Sequence, residues 1–261
     1  MTASQPSGAQ MIVPRLSSFY ELRSYDTLDS TNEEARRLAE DGAASGTLVW
    51  SVMQDEGRGR RGRAWSSPAG NLYASLILRP DCEPYTAAQL SLVAALAIHQ
   101  AVATALPTPE RALVKWPNDI LIGGRKVAGI LLESRLQTGN KLDWLIIGSG
   151  INVVTCPDDQ ERPATSLHDE DSGADVVKVL EDYASAFEHF YQLWLAEGFS
   201  PVRRAWLDKA HGVGEEIEVR LENETFSGVF DGLDEDGALR LQTSDGLRLV
   251  TSGDVFLPSS N

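Results

Sequence analysis

The sequence predicts a mixed α/β (α+β) domain followed by a small all-β domain. Three observations carry that prediction. A chain of 261 residues has room for one large domain and one small one, at about 100–200 residues each. Strand-like runs interleave with long helical runs as far as residue 212, the pattern of helices packed on a sheet. From Gly214 onward, short strands are joined by turn dipeptides, among them Asp236-Gly237 and Asp245-Gly246, which favour hairpins. The expected layout is a flexible segment over 1–24, a main domain over 25–212 and a C-terminal domain over 213–261. The last is too small for a sandwich and suits a small barrel.

The elements follow in order. Residues 1 to about 20 are Ser/Gln/Pro/Gly-containing and are expected to fray. Ser30-Thr31-Asn32-Glu33-Glu34 opens a helix, because Ser30…Glu33 and Thr31…Glu34 both have capping-box spacing, and Gly42 marks its stop. Thr47–Met53 is rich in β-formers and reads as a strand. The Gly/Arg run Gly57–Arg63 is a loop, and Leu72–Arg79 a further strand. Thr86–Leu106 is a long apolar helix closed by Pro107. Ser91, His99, Gln100 and Thr104 interrupt its apolar stretch, so it reads as buried rather than as a bilayer span of about 20 apolar residues. Three strand-like segments come next: Ala112–Trp116, Lys126–Glu133 and Lys141–Ile151. Ala174–Glu197 sets Val176, Leu180, Tyr183, Ala184, Phe187 and Tyr191 at helical spacing, and Pro201–Ala210 makes a further helix.

Composition narrows the function. Hydrophobic residues make up 42% and charged ones 23%, which supplies a packed core and excludes general disorder. With 23 Lys+Arg against 38 Asp+Glu the net charge is −15, contrary to the cationic footprint of a nucleic-acid binder. Two cysteines, Cys82 and Cys156, make no disulfide framework and fit a reducing compartment. The N-terminus has no basic start followed by an apolar run, so no secretory signal is expected. A soluble, cytoplasmic protein with no membrane partner is the expectation. His99, His168, His189 and His211 show no metal-ligand spacing, and neither cysteine pairs with one as in a thiol protease.

Gly57-Arg-Gly-Arg-Arg-Gly-Arg63 formally satisfies the dinucleotide fingerprint. That fingerprint needs a helix straight after the loop, and Ala64-Trp65-Ser66-Ser67-Pro68-Ala69-Gly70 cannot supply one. The loop reads instead as a flexible cationic cover, with glycines letting it fold down and guanidinium forks gripping phosphate or carboxylate. It has little of its own to order it before an anion arrives. A solvated basic turn is the bland alternative, and the adjoining strand and Trp65 favour the ligand. Lys115-Trp116-Pro117-Asn118-Asp119 is a rigid turn that presents a cation and a carboxylate. Lys126 heads an otherwise apolar strand, either as an edge charge against aggregation or as a cation at a pocket mouth. Gly148-Ser149-Gly150-Ile151-Asn152 ends a strand in small residues, a sign of close approach by ligand or backbone.

Taken in order, Ser30-Thr31-Asn32, Gly57–Arg63 with Trp65, Lys115–Asp119, Lys126–Leu131 and Gly148–Asn152 resemble the biotin protein ligases, from about residue 25 to the end. The resemblance implies a catalytic domain with a mixed sheet, like that of class II aminoacyl-tRNA synthetases, and an SH3-like C-terminal domain. It implies that biotin and Mg²⁺-ATP form biotinyl-5′-adenylate, and that biotin then passes to a lysine on a carrier domain of an acyl-CoA carboxylase. Catalytic roles fall on Lys126, Lys115, Arg60 and Asp119. Biotin contacts are expected from Ser30, Thr31, Asn32, Gln54, Arg58, Gly59, Arg60, Lys126, Gly129, Gly148 and Gly150, the glycines forming a floor for the bicycle. Adenylate contacts are expected from Arg58, Arg60, Arg61, Arg63, Trp65, Lys115, Asn118 and Asn152. No metal ligand is assigned, since Mg²⁺ is shared with ATP oxygens. Asp55-Glu56 depart from the small or neutral residues usual before the glycine loop. Fewer than 30 residues precede Ser30, too few for the helix-turn-helix of repressor members, so no nucleic-acid partner is expected. Monomer and homodimer both remain open. The rivals are a lipoate or octanoate ligase on the same scaffold and a non-catalytic biotin or nucleotide sensor.

Overall fold

Apolar strand-forming runs supply seven strands of the main domain: β1 (Glu21–Leu28), β2 (Thr47–Gln54), β3 (Leu72–Leu78), β4 (Ala112–Lys115), β5 (Asp119–Ile122), β6 (Arg125–Leu136) and β7 (Leu142–Ile151). In the computed structural model, which describes residues 13–137, 141–158, 163–221 and 223–256, they form one sheet in the order β1-β2-β3-β7-β6-β5-β4. Only β1 and β2 pair in parallel; the other neighbours are antiparallel. The sheet is mixed, as expected.

Alternation along the strands divides the core. Leu72, Ala74, Leu76 and Leu78 of β3 and Leu145, Ile147 and Ile151 of β7 belong to the large core cluster with α3 (Leu90–Ala105) and α4 (Val176–Glu197). Val49, Ile77, Trp144 and Ile146 instead form a smaller cluster with Ala35 and Ala39 of α1 (Thr31–Glu40). Helices therefore cover both faces, and the site lies beside α1. Pro84–Ala105 is long and apolar enough to cross a membrane, yet 72% of its apolar 18-residue stretch is buried in the protein. A helix apolar all round is a core helix.

Several expectations are corrected. Residues 1–12 of the expected flexible segment lie outside the described residues. Residues 13–24 are not loose: Leu16, Phe19 and Tyr20 pack on the core, Tyr20 Oη donates to Ala184 O at 2.7 Å, and β1 begins at Glu21. Pairing with β2 overrides a polar sequence with weak alternation. The capping box does not form, for Ser30 caps α1 in extended backbone with no side-chain bond. The Thr31 amide and hydroxyl go to Gln54 Oε1, at 2.7 and 3.1 Å. Gly42 does end α1. At φ +91 it closes a Schellman turn, with Gly42 N–H on Ala39 O and Ala43 N–H on Leu38 O. The expected helix Thr86–Leu106 is two, α2 (Pro84–Ala87) and α3. At the break, Gln89 accepts from Trp194 Nε1 at 2.9 Å.

After α5 (Phe199–Leu207) the chain bridges Ala210 to Val114 of β4. It then builds a five-stranded antiparallel sheet in the order β11-β10-β9-β8-β12. Its strands are β8 (Glu216–Arg220), β9 (Thr225–Leu233), β10 (Leu239–Thr243), β11 (Gly246–Val250) and β12 (Asp254–Phe256). Ile217, Phe230, Leu239 and Leu241 continue the large core, so the C-terminal sheet is packed against the main domain rather than tethered to it.

Candidate active site

Where β3, β7 and β6 run side by side the sheet carries small residues, and above them the 57–66 loop encloses a cavity of about 380 Å³. Register brings Ser75, Gly148 and Leu131 into one row, and Tyr73, Gly150 and Gly129 into the next. The glycines do not simply floor the cavity. A Cβ on Gly150 would sit 2.6 Å from the Trp65 indole, and one on Gly148 2.0 Å from Asn32 Oδ1. All three glycines line the cavity, and their missing side chains also let Trp65 and Asn32 lie against the sheet.

Lys126 is not an edge charge, because β6 is interior between β7 and β5. Its backbone is held further by Lys126 N–H on Pro163 O at 2.8 Å and Thr165 N–H on Lys126 O at 2.9 Å. The irregularity at Ile120/Leu121 sets Asp119 opposite Gly129, a use of bulges that re-aims side chains. Lys126 Nζ then meets Asp119 Oδ1 at 2.5 Å and stands 5.3 Å from the Trp65 ring centroid, within cation–π range. Gly129 leaves the space: a Cβ there would be 3.1 Å from Lys126 Nζ and 3.2 Å from Trp65.

The loop is ordered by the protein's own groups, contrary to expectation. Gly59 N–H donates to Arg63 O at 2.7 Å, and Trp65 N–H to Gly57 O at 2.8 Å. Arg58 pairs with Glu33 and, at 2.5 Å, with Glu133. Arg60 donates to Asn118 Oδ1 at 2.9 Å and to Gly253 O at 3.4 Å. Asn118 is itself fixed by Nδ2 donating to Ile130 O at 2.7 Å. Arg63 donates to Asp254. Arg61, at φ +56, is exposed and not among the residues lining the cavity, and it reaches Asp254 at 3.5 Å. Burial alone would raise the Asp254 carboxyl, but the Arg63 hydrogen bond and the charges of Arg63, Arg61 and Arg60 hold it below the ordinary carboxylate range. Asp55 and Glu56 are exposed beside the loop.

The cavity gathers Ser30, Thr31, Asn32, Gln54, Arg58, Gly59, Arg60, Arg63, Trp65, Asn118, Asp119, Lys126, Gly129, Gly148, Gly150 and Asn152. Gln54 donates from Nε2 to Ser67 Oγ at 2.8 Å, which fixes its carbonyl toward Thr31. Asn152 is buried and donates to Thr165 O at 3.1 Å. Lys115 does not line this cavity. It lines an adjoining cleft of about 270 Å³ with His211, which shares Arg63, Asn118, Asp119, Lys126 and Asp254 with the first. Burial and the Lys115 charge pull the His211 imidazole below its ordinary value. His99, by contrast, is a core residue bonded to Ala112 O at 2.9 Å. Among the described residues no group of three or more His, Cys, Asp or Glu could hold a metal ion.

Sequence reasoning missed Glu33, Ser75, Glu133 and Asp254. Strand alternation from Gly129 through Leu131 reaches Glu133, so that residue had a readable signal. Asp254 had none, since its partners lie some 190 positions away.

Comparison with known proteins gives a consistent result. The model described as Biotin/lipoate A/B protein ligase family matches residues 25–152. That of the Biotin protein ligase C terminal domain matches residues 212–257. The chain is 40% identical over 234 residues to the biotin--[acetyl-CoA-carboxylase] ligase of Paracoccus denitrificans, across 87% of this chain and 97% of that protein. It is 38% identical to the bifunctional ligase/repressor BirA of Bacillus subtilis, across 89% of this chain and 73% of that one. The solved biotin protein ligase from Aquifex aeolicus in complex with biotin and ATP matches at TM-score 0.75 and 31% identity, covering 92% and 99% of the two chains.

Proposed function

The chain belongs to the biotin protein ligases, and we propose how its own side chains divide that reaction among them. The protein is a ligase that activates biotin with ATP as biotinyl-5′-AMP and passes the biotinyl group to a carrier protein. In the first step a biotin carboxylate oxygen bonds to the α-phosphorus of ATP, the bond to the bridging oxygen breaks, and pyrophosphate leaves. The carboxylate is ionised at neutral pH, so the step needs charge neutralisation and alignment rather than a base.

Lys126 is the proposed cation for the biotin carboxylate and the adjacent α-phosphate, because it is interior, is aimed by Asp119 and sits over Trp65. That juxtaposition carries the assignment. Ser30, Thr31, Asn32 and Gln54 offer the donors and acceptors that a ureido group needs, on the side of the cavity under α1. Arg60, Arg63 and Asn118 take the adenylate side. Lys115 and His211 face the adjoining cleft, which suits the β- and γ-phosphates and the departing pyrophosphate. Mg²⁺ would arrive on ATP oxygens, with Asp119, a carboxylate of both clefts, as the chain's own ligand. When bound it supplies neutralisation of phosphate charge.

In the second step the carrier lysine amine attacks the biotinyl carbonyl, the bond to the phosphate oxygen breaks, AMP leaves and the nitrogen loses a proton. Asp119 is the proposed group that orients that amine. The proposed acceptor is the biotin carboxyl carrier domain of an acyl-CoA carboxylase, met by a cytoplasmic enzyme with no nucleic-acid partner. Biotin-dependent exchange of labelled pyrophosphate into ATP tests the assignment. Wild-type protein should support it, and Lys126→Ala should not; undiminished exchange in the variant removes Lys126 from the chemistry.

A further inference from the structure

The sheet face that holds the cavity carries one more charged side chain, just beyond the cavity wall. Alternate residues of a strand share a face, so Gly129, Leu131 and Glu133 of β6 stand in a row against Gly150, Gly148 and Ile146 of β7. Both oxygens of the Glu133 carboxylate are committed. Oε1 accepts from Arg58 Nη2 at 2.5 Å, and Oε2 accepts from Asn32 Nδ2 at 2.7 Å. Arg58 is the first cation of the cover loop. Asn32 lies against Gly148 on the cavity floor, its Oδ1 accepting from the Ser75 hydroxyl at 2.6 Å. One carboxylate touches cover and floor at once.

We propose that Glu133 is a positioning residue that couples closure of the 57–63 loop to occupancy of the biotin pocket. The inference rests on reading this cavity as the biotin site. A carboxylate only accepts hydrogen bonds, so it can face the NH₂ end of Asn32 and not the carbonyl end. It thereby fixes which way the Asn32 amide points, and its second oxygen holds Arg58 down in the same geometry. The Arg58 and Glu133 side chains are 41% and 31% exposed, and such pairs contribute little to global stability. The consequence of losing Glu133 should therefore appear in ligand binding and loop closure, not in folding. Arg58 has a second carboxylate, Glu33 in the first turn of α1, whose other partner is Arg36 of that helix rather than Asn32. The two glutamates separate the two halves of the proposal.

The test compares wild type, Glu133→Gln and Glu33→Gln by biotin titration calorimetry, by ATP KM in pyrophosphate exchange, and by trypsin cleavage after the loop arginines. A glutamine at 133 can keep one of the two contacts but not both. E133Q should bind biotin about tenfold more weakly, the loss of roughly one charge-assisted hydrogen bond. Its ATP KM and melting temperature should hold, and biotin should no longer slow tryptic cleavage of the loop. E33Q should be cut faster without ligand, yet bind biotin as wild type does and regain protection. Glu133→Asp keeps the charge but shortens the reach. It should lose the same protection with a smaller loss of affinity, and it serves if E133Q does not fold. Wild-type affinity and protection in both 133 variants would overturn the proposal. So would parallel losses of biotin binding, ATP binding and melting temperature, the mark of a merely structural residue. Failure of wild-type protein to bind biotin would instead overturn the reading of the pocket.

Discussion

Lys126 and Arg60 are both cations lining one cavity, and their surroundings suit them to different parts of the proposed reaction. Lys126 meets Asp119 and the Trp65 face on a strand fixed on both sides, whereas Arg60 hangs from a loop onto Asn118 and Gly253. A charge-assisted hydrogen bond contributes about 1.5–3 kcal/mol, or roughly 10- to 150-fold. Lys126→Ala should therefore slow pyrophosphate exchange by at least that factor while melting as wild type does. Arg60→Gly should leave exchange measurable, because Lys126 still neutralises the centre. The activated anhydride should then escape faster from a looser cover and label bystander lysines. Incubation with albumin, biotin and ATP, followed by a biotin blot, measures that leak. Normal exchange with unlabelled albumin would mean that Arg60 lines the cavity without retaining the adenylate. Both lysines and the loop arginines were readable from sequence as cations in rigid or glycine-rich contexts. Which of them share a cavity was not, since the fold puts Lys126 in both clefts and Lys115 in the adjoining one alone.

At the level of elements, β7 shows how a glycine can be found in the sequence while the group that approaches it stays hidden. Gly148 and Gly150 signal close approach in the sequence, but what approaches them is Asn32 from α1 and Trp65 from the loop, contacts that no local pattern contains. Gly148→Ala puts a Cβ 2.0 Å from Asn32 Oδ1, closer than any real contact, against a side chain held by Ser75 and Glu133. Asn32 must move. The biotin KM should rise by about tenfold or more, one displaced polar contact, with the ATP KM nearly unchanged. Steady-state exchange at varied biotin and varied ATP separates the two. Helix α3 makes a second prediction. Burial, and then the nearby charge of Lys209, pull the His99 imidazole below its ordinary value while it bonds Ala112 O. A histidine depressed in the folded state binds its proton more readily when unfolded, so acid favours unfolding. Stability should fall as the pH drops below about 6.5, and His99→Gln should flatten the fall. Melting curves at pH 7.5 and 5.5 check the sign.

Across the whole molecule, the C-terminal sheet closes the site from the far end of the chain. Legibility ran out here in a particular way. The domain change near 212–214 shows in composition, but nothing in Ser252-Gly253-Asp254 announces that it grips a loop at residues 60–63. In the fold, Gly253 O accepts from Arg60, and the Asp254 carboxylate pairs with Arg63 and Arg61. Trp116 Nε1, on the Lys115–Asp119 turn, donates to Gly237 O at 3.2 Å. The two motifs to which the proposed reaction is assigned are thus each tied to the second domain. Asp254→Asn tests whether that tie matters for function. The ion pairs are partly exposed, so the global cost should be under about 1 kcal/mol, and the melting temperature should move by only a few degrees. Loop placement should suffer more, because Asp254 is the shared partner of two arginines. The expected result is a severalfold rise in ATP KM and faster tryptic cleavage of the loop, with biotin binding less affected because Glu133 and Glu33 still hold Arg58. The Asp254 pKa is depressed in the folded state, so its contribution is complete above the ordinary carboxylate range and is lost only as pH falls through the depressed value. Between pH 6 and 8 the variant's defect should therefore be constant. Salt should behave otherwise: the Debye length shrinks from about 10 Å at 0.1 M to about 3 Å at 1 M, which weakens the wild-type pairs and should narrow the gap between the two proteins. An ATP KM equal to wild type at every salt concentration would mean that the C-terminal sheet packs beside the site without holding it.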